Sequence, residues 1–326
     1  MSNDSGSSPF APDGGPIVLA FGGNALLPDP FRPEEQDARA QELAAAVLLL
    51  YQRSSGIVLV HGNGPQVGMI LLRVEETRER LPDEPLDVLV AETQGSIGYR
   101  LSRALRNALD QARARIGVTS ILTQVVVDED DEAFANPTKP VGPFYASGTA
   151  ASLREERGWK LAHEEGRGWR RVVASPRPLR VIERDAIEAA ARAGGVVIAG
   201  GGGGIPVVER DGRLHGAEAV VDKDRTAALL AGDLGTSTFV VLTGVSHVSR
   251  GFGTPSAERI ARIECSDALR LLEEGEFPRG SMGPKVEAVC DYVRATGRPA
   301  VITDVTHLGA ALAGTDGTWV LPDRAT

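Results

Sequence analysis

Apolar positions along this chain alternate between two periods. Short aliphatic and β-branched runs read as buried strands: IVLAF (17–21), IVLV (57–60), SILTQVVV (120–127), VVIA (196–199), FVVL (239–242) and AVIT (300–303). Between them the apolar residues recur at helical spacing. In 97–112 they fall at Ile97, Leu101, Ala104, Leu105, Ala108, Leu109 and Ala112, one stripe of a helix. Residues 183–193 read as a helix stopped by Gly194 and Gly195. Residues 266–274 read as a helix with Ser266 as its cap and Gly275 at its end. Residues 284–296 open on Pro284 and carry Val286, Val289 and Val293 on one face. Strands alternating with helices predict an α/β fold, with helices on both sides of an open, mostly parallel sheet. Ligands in such folds bind beyond the carboxyl ends of the strands.

Two stretches depart from that rhythm. Residues 128–170 hold acids, prolines, Trp159 and Trp169 but no long apolar strand. They read as a small protruding subdomain inside a domain of 17–326. Residues 1–16 are polar and rich in Gly, Ser and Pro, the composition of a disordered tail. That stretch has no apolar segment of the signal-peptide kind. The longest apolar run, LAAAVLLLY at 43–51, is too short to cross a bilayer. A cytoplasmic protein with no membrane partner is expected.

Composition narrows the partners. The 326 residues carry a formal charge of −9, which argues against a nucleic-acid partner. An anionic ligand would need a local positive pocket in an acidic protein. Cys265 and Cys290 lack a CxxC partner and read as buried free thiols. The five histidines, His61, His163, His215, His247 and His307, are scattered and form no HExxH, so no protein-held metal is expected.

Three strands run into glycine-rich turns: GGNAL after 17–21, GNGPQVG after 57–61 and GGGGGIP after 196–199. Glycine there lets the backbone approach a ligand and aim N–H groups at it. A Walker loop is absent, because no Gly-Lys pair exists in the chain. The turn at 62–68 reads G-x-G-x-x-x-G, one residue too long for a dinucleotide fingerprint, which leaves a nicotinamide enzyme as an outside alternative.

The basic residues supply the chemistry. Of 35, only four are lysines, Lys139, Lys160, Lys223 and Lys285. Lys offers a compact rotatable ammonium where Arg offers a planar fork. Lys139 lies in PTKP, held stiff and extended by Pro137 and Pro140. Lys223 opens a helix between Asp222 and Asp224, which could hold the lysine or face a metal borne by phosphates. Lys285 lies in the first turn of another helix, where a cation opposes the dipole unless an anion shares the site. Lys160 reads as a surface residue. Three lysines with backbone N–H groups suit a phosphoryl group in transfer. No general base stands out, and an already ionised acceptor such as a carboxylate needs none.

These motifs resemble those of the carbamate kinases, in the amino-acid kinase superfamily. The resemblance runs through GGNAL, HGNGPQVG, ETQGSIGY, PTKPVGPFY, GWRRVVASPRP, GGGGIPV, EAVVDKD, GSMGPKVEAV and AVIT. It implies a three-layer αβα sandwich, a homodimer, and Mg²⁺-dependent reversible transfer between ATP and carbamate. It implies that Gly22, Gly23, Asn24, Gly62, Asn63 and Gly64 hold carbamate and the transferred group. Lys139 would reach the site from the protruding subdomain. Lys223 would touch the phosphates, Asp224 would orient the lysines, and Lys285 would join them as a catalytic group. Gly201, Gly202, Gly203, Asp222 and Met282 would lie around the nucleotide, with Mg²⁺ held mainly by the phosphates of ATP or ADP. The chain departs from the family at LTGVSHVS (242–249), where Gly244 stands for a usual aspartate and Ser249 for a usual tyrosine. Ala174 replaces a usual proline. A same-fold kinase for another small carboxylate, and a nucleotide-binding protein without turnover, remain the alternatives.

Overall fold

The computed structural model describes residues 15–22, 33–278 and 280–324, with the backbone alone at 33–37 and 40. The proposed disordered tail therefore lies almost wholly outside the described residues. In chain order the elements begin β1 (Ile17–Phe21), α1 (Pro33–Tyr51), β2 (Ile57–His61), α2 (Gly64–Thr77), α3 (Leu86–Gln111), β3 (Val118–Ser120) and β4 (Gln124–Val127). Next come α4 (Glu132–Ala135), β5 (Lys139–Tyr145), α5 (Ser147–Arg157), β6 (Leu161–Glu164), β7 (Gly168–Val173), β8 (Pro178–Val181), α6 (Arg184–Arg192) and β9 (Val196–Ile198). After a glycine turn follow β10 (Ile205–Arg210), β11 (Arg213–Gly216), α7 (Lys223–Asp233), β12 (Phe239–Leu242), β13 (Val248–Arg250), β14 (Glu258–Ile260) and β15 (Arg262–Glu264). The chain closes with α8 (Cys265–Glu273), α9 (Met282–Thr296), β16 (Ala300–Thr303), α10 (Leu308–Leu312) and β17 (Thr318–Leu321).

The main sheet has eight strands in the order β15-β17-β16-β12-β1-β2-β9-β3. Every neighbouring pair is parallel except β16 with β17. Strands covered on both faces read as unbroken apolar runs, which is why IVLAF and FVVL show no alternation. Their side chains nonetheless divide by parity. Ile17, Leu19 and Phe21 pack with α1, α3 and α10, while Val18 and Ala20 pack with α6, α7, α8 and α9. The result is three layers, helix on sheet on helix. Cys265 and Cys290 are buried free thiols between α8 and α9. No helix among the described residues is long and apolar enough to cross a membrane.

The run at 120–127 is not one strand. β3 ends at Ser120, and the chain turns out of the main sheet before β4 joins a second sheet of order β11-β10-β4-β8. The side-chain amide of Gln94 causes the break. Its Oε1 accepts the Thr123 N–H at 2.8 Å and its Nε2 donates to the Thr123 carbonyl at 3.1 Å. Both backbone groups of Thr123 thereby pair with a side chain, and its carbonyl also accepts the Ile205 N–H at the start of β10 at 2.8 Å. The helix read from a Ser266 cap also differs. It starts at Cys265, and the Ser266 N–H is taken by the Asp323 carboxylate at 2.8 Å.

Residues 139–173 contain a three-stranded antiparallel sheet, β5-β7-β6, with α5 beside it. This sheet shares no ladder with the main one. Arginines stack on its aromatics: Arg154 on Trp169 at 4.0 Å, Arg167 on Phe144 at 4.1 Å and Arg171 on Trp159 at 4.2 Å. Arg157 ties it to the body through Glu75 at 2.7 Å and Asp83 at 2.8 Å. Lys139 is the first residue of β5. The segment that looked merely stiff is thus one end of a strand, paired with Val173 of β7.

Candidate active site

Four adjacent parallel strands, β12, β1, β2 and β9, end on the same edge of the sheet. Gly22 follows β1, and the Gly62 N–H donates to the Phe21 carbonyl at 3.1 Å, which ties the segment after β2 to the end of β1. Asn63 caps α2, so the N–H groups of Gly64 and Gln66, on either side of Pro65, form a helix N-terminus suited to an anion. The Asn63 side chain donates to Thr93 Oγ1 at 2.8 Å and is thereby fixed. Gly22, Gly62, Asn63 and Gly64 line one cleft of about 1450 Å³. Gly23 and Asn24 lie outside the described residues.

The three glycines of the turn after β9 are placed differently. Gly202 lines the cleft, but Gly201 and Gly203 do not. They are buried beneath it against other parts of the chain. A Cβ on Gly202 (φ +68°) would fall 2.2 Å from Asn63 Nδ2, and one on Gly203 (φ +93°) would fall 2.1 Å from the Val221 carbonyl oxygen. Thr226 Oγ1 donates to the Gly203 carbonyl at 2.7 Å, which fastens the turn to α7. Gly203→Ala must therefore both adopt a left-handed backbone and push a neighbouring backbone aside. We expect it to cost at least about 3 kcal/mol in urea unfolding. A midpoint equal to wild type would show that this packing is not as close as described.

His61, at the end of β2, sits under the same floor. Its Nδ1–H donates to the Gly62 carbonyl at 3.0 Å. Burial, with a smaller contribution from the nearby Lys223 ammonium, lowers its pKa to about 4. It is therefore neutral at physiological pH. An unfolded His61 takes up a proton below about 6.5, whereas the folded one resists until about 4. Its contribution to stability is thus complete above 6.5 and is lost as pH falls towards 4. Comparison with His61→Asn should isolate a loss of about 3 kcal/mol over that window. Parallel pH–stability curves for the two proteins would refute the assignment.

Above this floor three lysines meet two aspartates. Asp222 caps α7, its Oδ1 accepting the Asp224 N–H at 2.9 Å, and its Oδ2 accepts Lys139 Nζ at 2.7 Å. Asp224 is almost fully buried; its Oδ1 takes Lys223 Nζ and its Oδ2 takes Lys285 Nζ at 3.2 Å. Three ammonium groups against two carboxylates leave one positive charge uncompensated, facing the cleft. Burial works against the charged form of Asp222. The Lys139 ammonium, with Lys223 and the Asp224 N–H, outweighs it and holds the carboxyl below the usual carboxylate range. Burial pushes the Lys223 pKa down, Asp224 opposes this, and the neighbouring Lys285 ammonium adds to the fall. Lys160 is apart from the group, exposed, with Nζ on the Ala135 carbonyl at 2.7 Å.

The other half of the cleft is lined by Leu242, Gly244, His247, Ser249, Phe252 and Met282. A Cβ on Gly244 would meet nothing within 4 Å, so that position leaves open room. His247 is fixed at both ring nitrogens. Its Nε2 lies 3.0 Å from Asp316 Oδ1, and its Nδ1 lies 3.0 Å from Ser246 Oγ. His247, Phe252, Arg177 and Arg225 all face the cleft, and none stood out in the sequence. An exposed Phe in a loop was the one available signal. Among the described residues no group of three or more His, Cys, Asp or Glu side chains could hold a metal ion.

The model of the amino acid kinase family matches residues 15–304. The chain belongs to the amino acid kinase family. Within that family it aligns with the carbamate kinase of Pyrococcus furiosus at 40% identity over 310 residues, 94% of this chain and 99% of the other. It is 42% identical over 311 residues to the carbamate kinase-like protein YahI of Escherichia coli, covering 94% of this chain and 98% of that one. Among solved structures, the Giardia lamblia carbamate kinase bound to AMP-PNP superposes with a TM-score of 0.89 at 36% identity, over 96% of this chain and all of that one. The amino acid kinase fold therefore accounts for the three layers.

Proposed function

We propose that this amino acid kinase transfers a phosphoryl group reversibly between ATP and carbamate. The observation that carries the reading is the gathering of Lys139, Lys223 and Lys285 on Asp222 and Asp224 above glycine-turned strand ends. Near-full-length identity of 40% to a carbamate kinase supports the choice of acceptor. In the forward direction an ionised carbamate oxygen attacks the γ-phosphorus in line. That O–P bond forms as the bond to the β,γ-bridging oxygen breaks, and ADP leaves. The acceptor brings its own negative charge, so no side chain has to remove a proton, which fits a floor whose histidine is neutral and buried.

Each residue has a task in this scheme. Backbone N–H groups at Gly22, Asn63 and Gly64 hold the acceptor and the transferred oxygens, with Gly62 bordering them and the Asn63 side chain fixed beside them. Lys139 meets the moving phosphoryl, exchanging its contact with Asp222 for one with the phosphoryl oxygens. Lys223 and Lys285 hold the nucleotide phosphates, and Asp224 aims both. Gly202 brings its backbone to the phosphates beside Asn63, while Gly201 and Gly203 support it from below. Met282 borders the nucleotide. Asp222 and Asp224 already pair with lysines, so magnesium is expected mainly on the nucleotide. Mg²⁺ would arrive on the nucleotide phosphates and neutralise part of their charge. A cytoplasmic homodimer completes the reading, and sedimentation should find two chains per particle.

The test is ATP formation from carbamoyl phosphate and ADP with Mg²⁺, with acetyl phosphate as the control donor. We expect ATP from carbamoyl phosphate and far less from acetyl phosphate. No ATP from either would remove carbamate as the acceptor.

A further inference from the structure

The lysine contacts just described are the ones a phosphate would compete for. Something else must keep the three lysine-bearing segments aligned while those contacts change. Glu287 of α9 is placed to do so. The first turns of α7 and α9 meet through two crossed ion pairs. Asp224 of α7 takes Lys285 of α9, and Glu287 of α9 takes Arg225 of α7, whose Nη2 lies 3.2 and 3.1 Å from its two oxygens. The same carboxylate accepts Arg177 Nη2 at 2.7 Å. Arg177 Nη1 reaches Asp291, one turn further along α9, at 3.2 Å, and its backbone N–H donates to Asp131 Oδ2 at 3.0 Å.

Arg177 and Asp131 belong to the two chain segments that frame the small sheet. Asp131 caps α4 just before β5, and Arg177 follows β7, which pairs with β5 at Lys139 and Val173. One carboxylate thus joins the helix of Lys223, the helix of Lys285 and the base of the sheet that bears Lys139. Glu287 itself does not line the cleft, whereas Arg177 and Arg225 do. It touches no lysine, so its bonds need not change when phosphate arrives.

We propose that Glu287 is a positioning residue that sets the three lysines at their working separations, an inference that rests on the phosphoryl-transfer reading above. Displacement of a catalytic group by about an ångström can cost on the order of a hundredfold in rate. Loss of the Glu287 charge also releases Arg225 and loosens Arg177, which keeps Asp291, so that both on the cleft wall can attract phosphates; nucleotide binding should survive while turnover falls.

The experiment uses the full chain, Glu287→Gln and Arg177→Met. Two quantities are read: turnover with ADP affinity, and the rate at which each lysine is acetylated by an N-hydroxysuccinimide ester without substrate. Mass spectrometry resolves all four lysines, and Lys160 is the internal reference. For Glu287→Gln we expect turnover to fall about tenfold or more, ADP affinity to hold within about threefold of wild type, and Lys285 and Lys139 to react several-fold faster relative to Lys160. Arg177→Met should accelerate Lys139 more than Lys285. An unchanged lysine pattern in Glu287→Gln overturns the proposal. If that variant does not fold, an unchanged Lys139 rate in Arg177→Met overturns it instead. The labelling needs no substrate. A wild type that forms no ATP, with lysine rates that still shift, would therefore sink the reaction and leave the positioning role standing.

Discussion

Lys139→Ala should lower turnover by roughly a hundredfold or more, with the dissociation constant for ADP close to wild type. The structure separates this lysine from the other two. Lys223 and Lys285 share the Asp224 carboxylate at the first turns of α7 and α9, so their positions do not depend on Lys139. Lys139 comes from the small sheet, contacts Asp222 alone, and is the most exposed of the three, at 37% of its side chain against 11% and 15%. A group with that placement can approach the migrating phosphoryl without supporting the bound nucleotide. Removing it deletes a charge that acts where charge is redistributed, which is felt in kcat. Lys139→Arg should not restore the rate, because a planar fork on a strand end flanked by Pro140 cannot put a single point charge in the same place. Steady-state kcat in the ATP-forming direction and calorimetric titration with ADP check both claims. A kcat within a few-fold of wild type, or a loss carried entirely by weaker ADP binding, would remove Lys139 from the transfer step.

Much of this site was legible because buried parallel strands leave an unambiguous trace. IVLAF, IVLV, VVIA, FVVL and AVIT are apolar on both faces, and each appears in the main sheet where its sequence placed it. A parallel sheet puts their carboxyl ends on one edge, so the glycines after three of them had to be neighbours. Lysine scarcity was an equally local signal, and the three lysines singled out do converge. Other features depended on contacts distant in sequence. SILTQVVV looks like one strand because nothing in it shows that Gln94, 29 residues away, will take both backbone groups of Thr123. KPVGPFY and GWRRVV are half-exposed, interrupted by prolines and arginines, and pair only within the small sheet, so neither period stands out. Gly201 and Gly203 carry the same letter as Gly202, yet the protein's own side chains and backbone fill the space that their missing Cβ atoms leave. Composition cannot tell a glycine that faces a cleft from one packed against His61 or Val221. Arg177, Arg225 and Glu287 were hidden among 31 arginines and many acids, and only the fold brings them together.

Asp224→Asn should be the most damaging single change in the site, for stability and activity together. Asp224 is buried and holds two ammonium groups, one on each carboxylate oxygen. An amide of the same shape keeps the volume but leaves Lys223 and Lys285 as like charges close together in a poorly hydrated place. Removing one partner from a buried ionic contact typically costs about 3–5 kcal/mol, since the remaining charge stays desolvated and unpaired. The pH dependence gives the claim its sign. Burial already lowers the Lys223 pKa, and Asp224 is the largest influence opposing that fall. Without it the folded pKa drops further, while the unfolded lysine keeps its ordinary value. The unfolded state then binds more protons over a wide range, so the variant gains stability as pH rises and Lys223 sheds its charge. Urea unfolding at pH 7 and pH 9 should therefore show a deficit against wild type that narrows at the higher pH. Turnover should not recover with it, because a neutral amine no longer stabilises phosphate charge. A variant within about 1 kcal/mol of wild type at pH 7, with no such narrowing, would mean that Asp224 does not hold the two lysines in the way its carboxylate contacts describe.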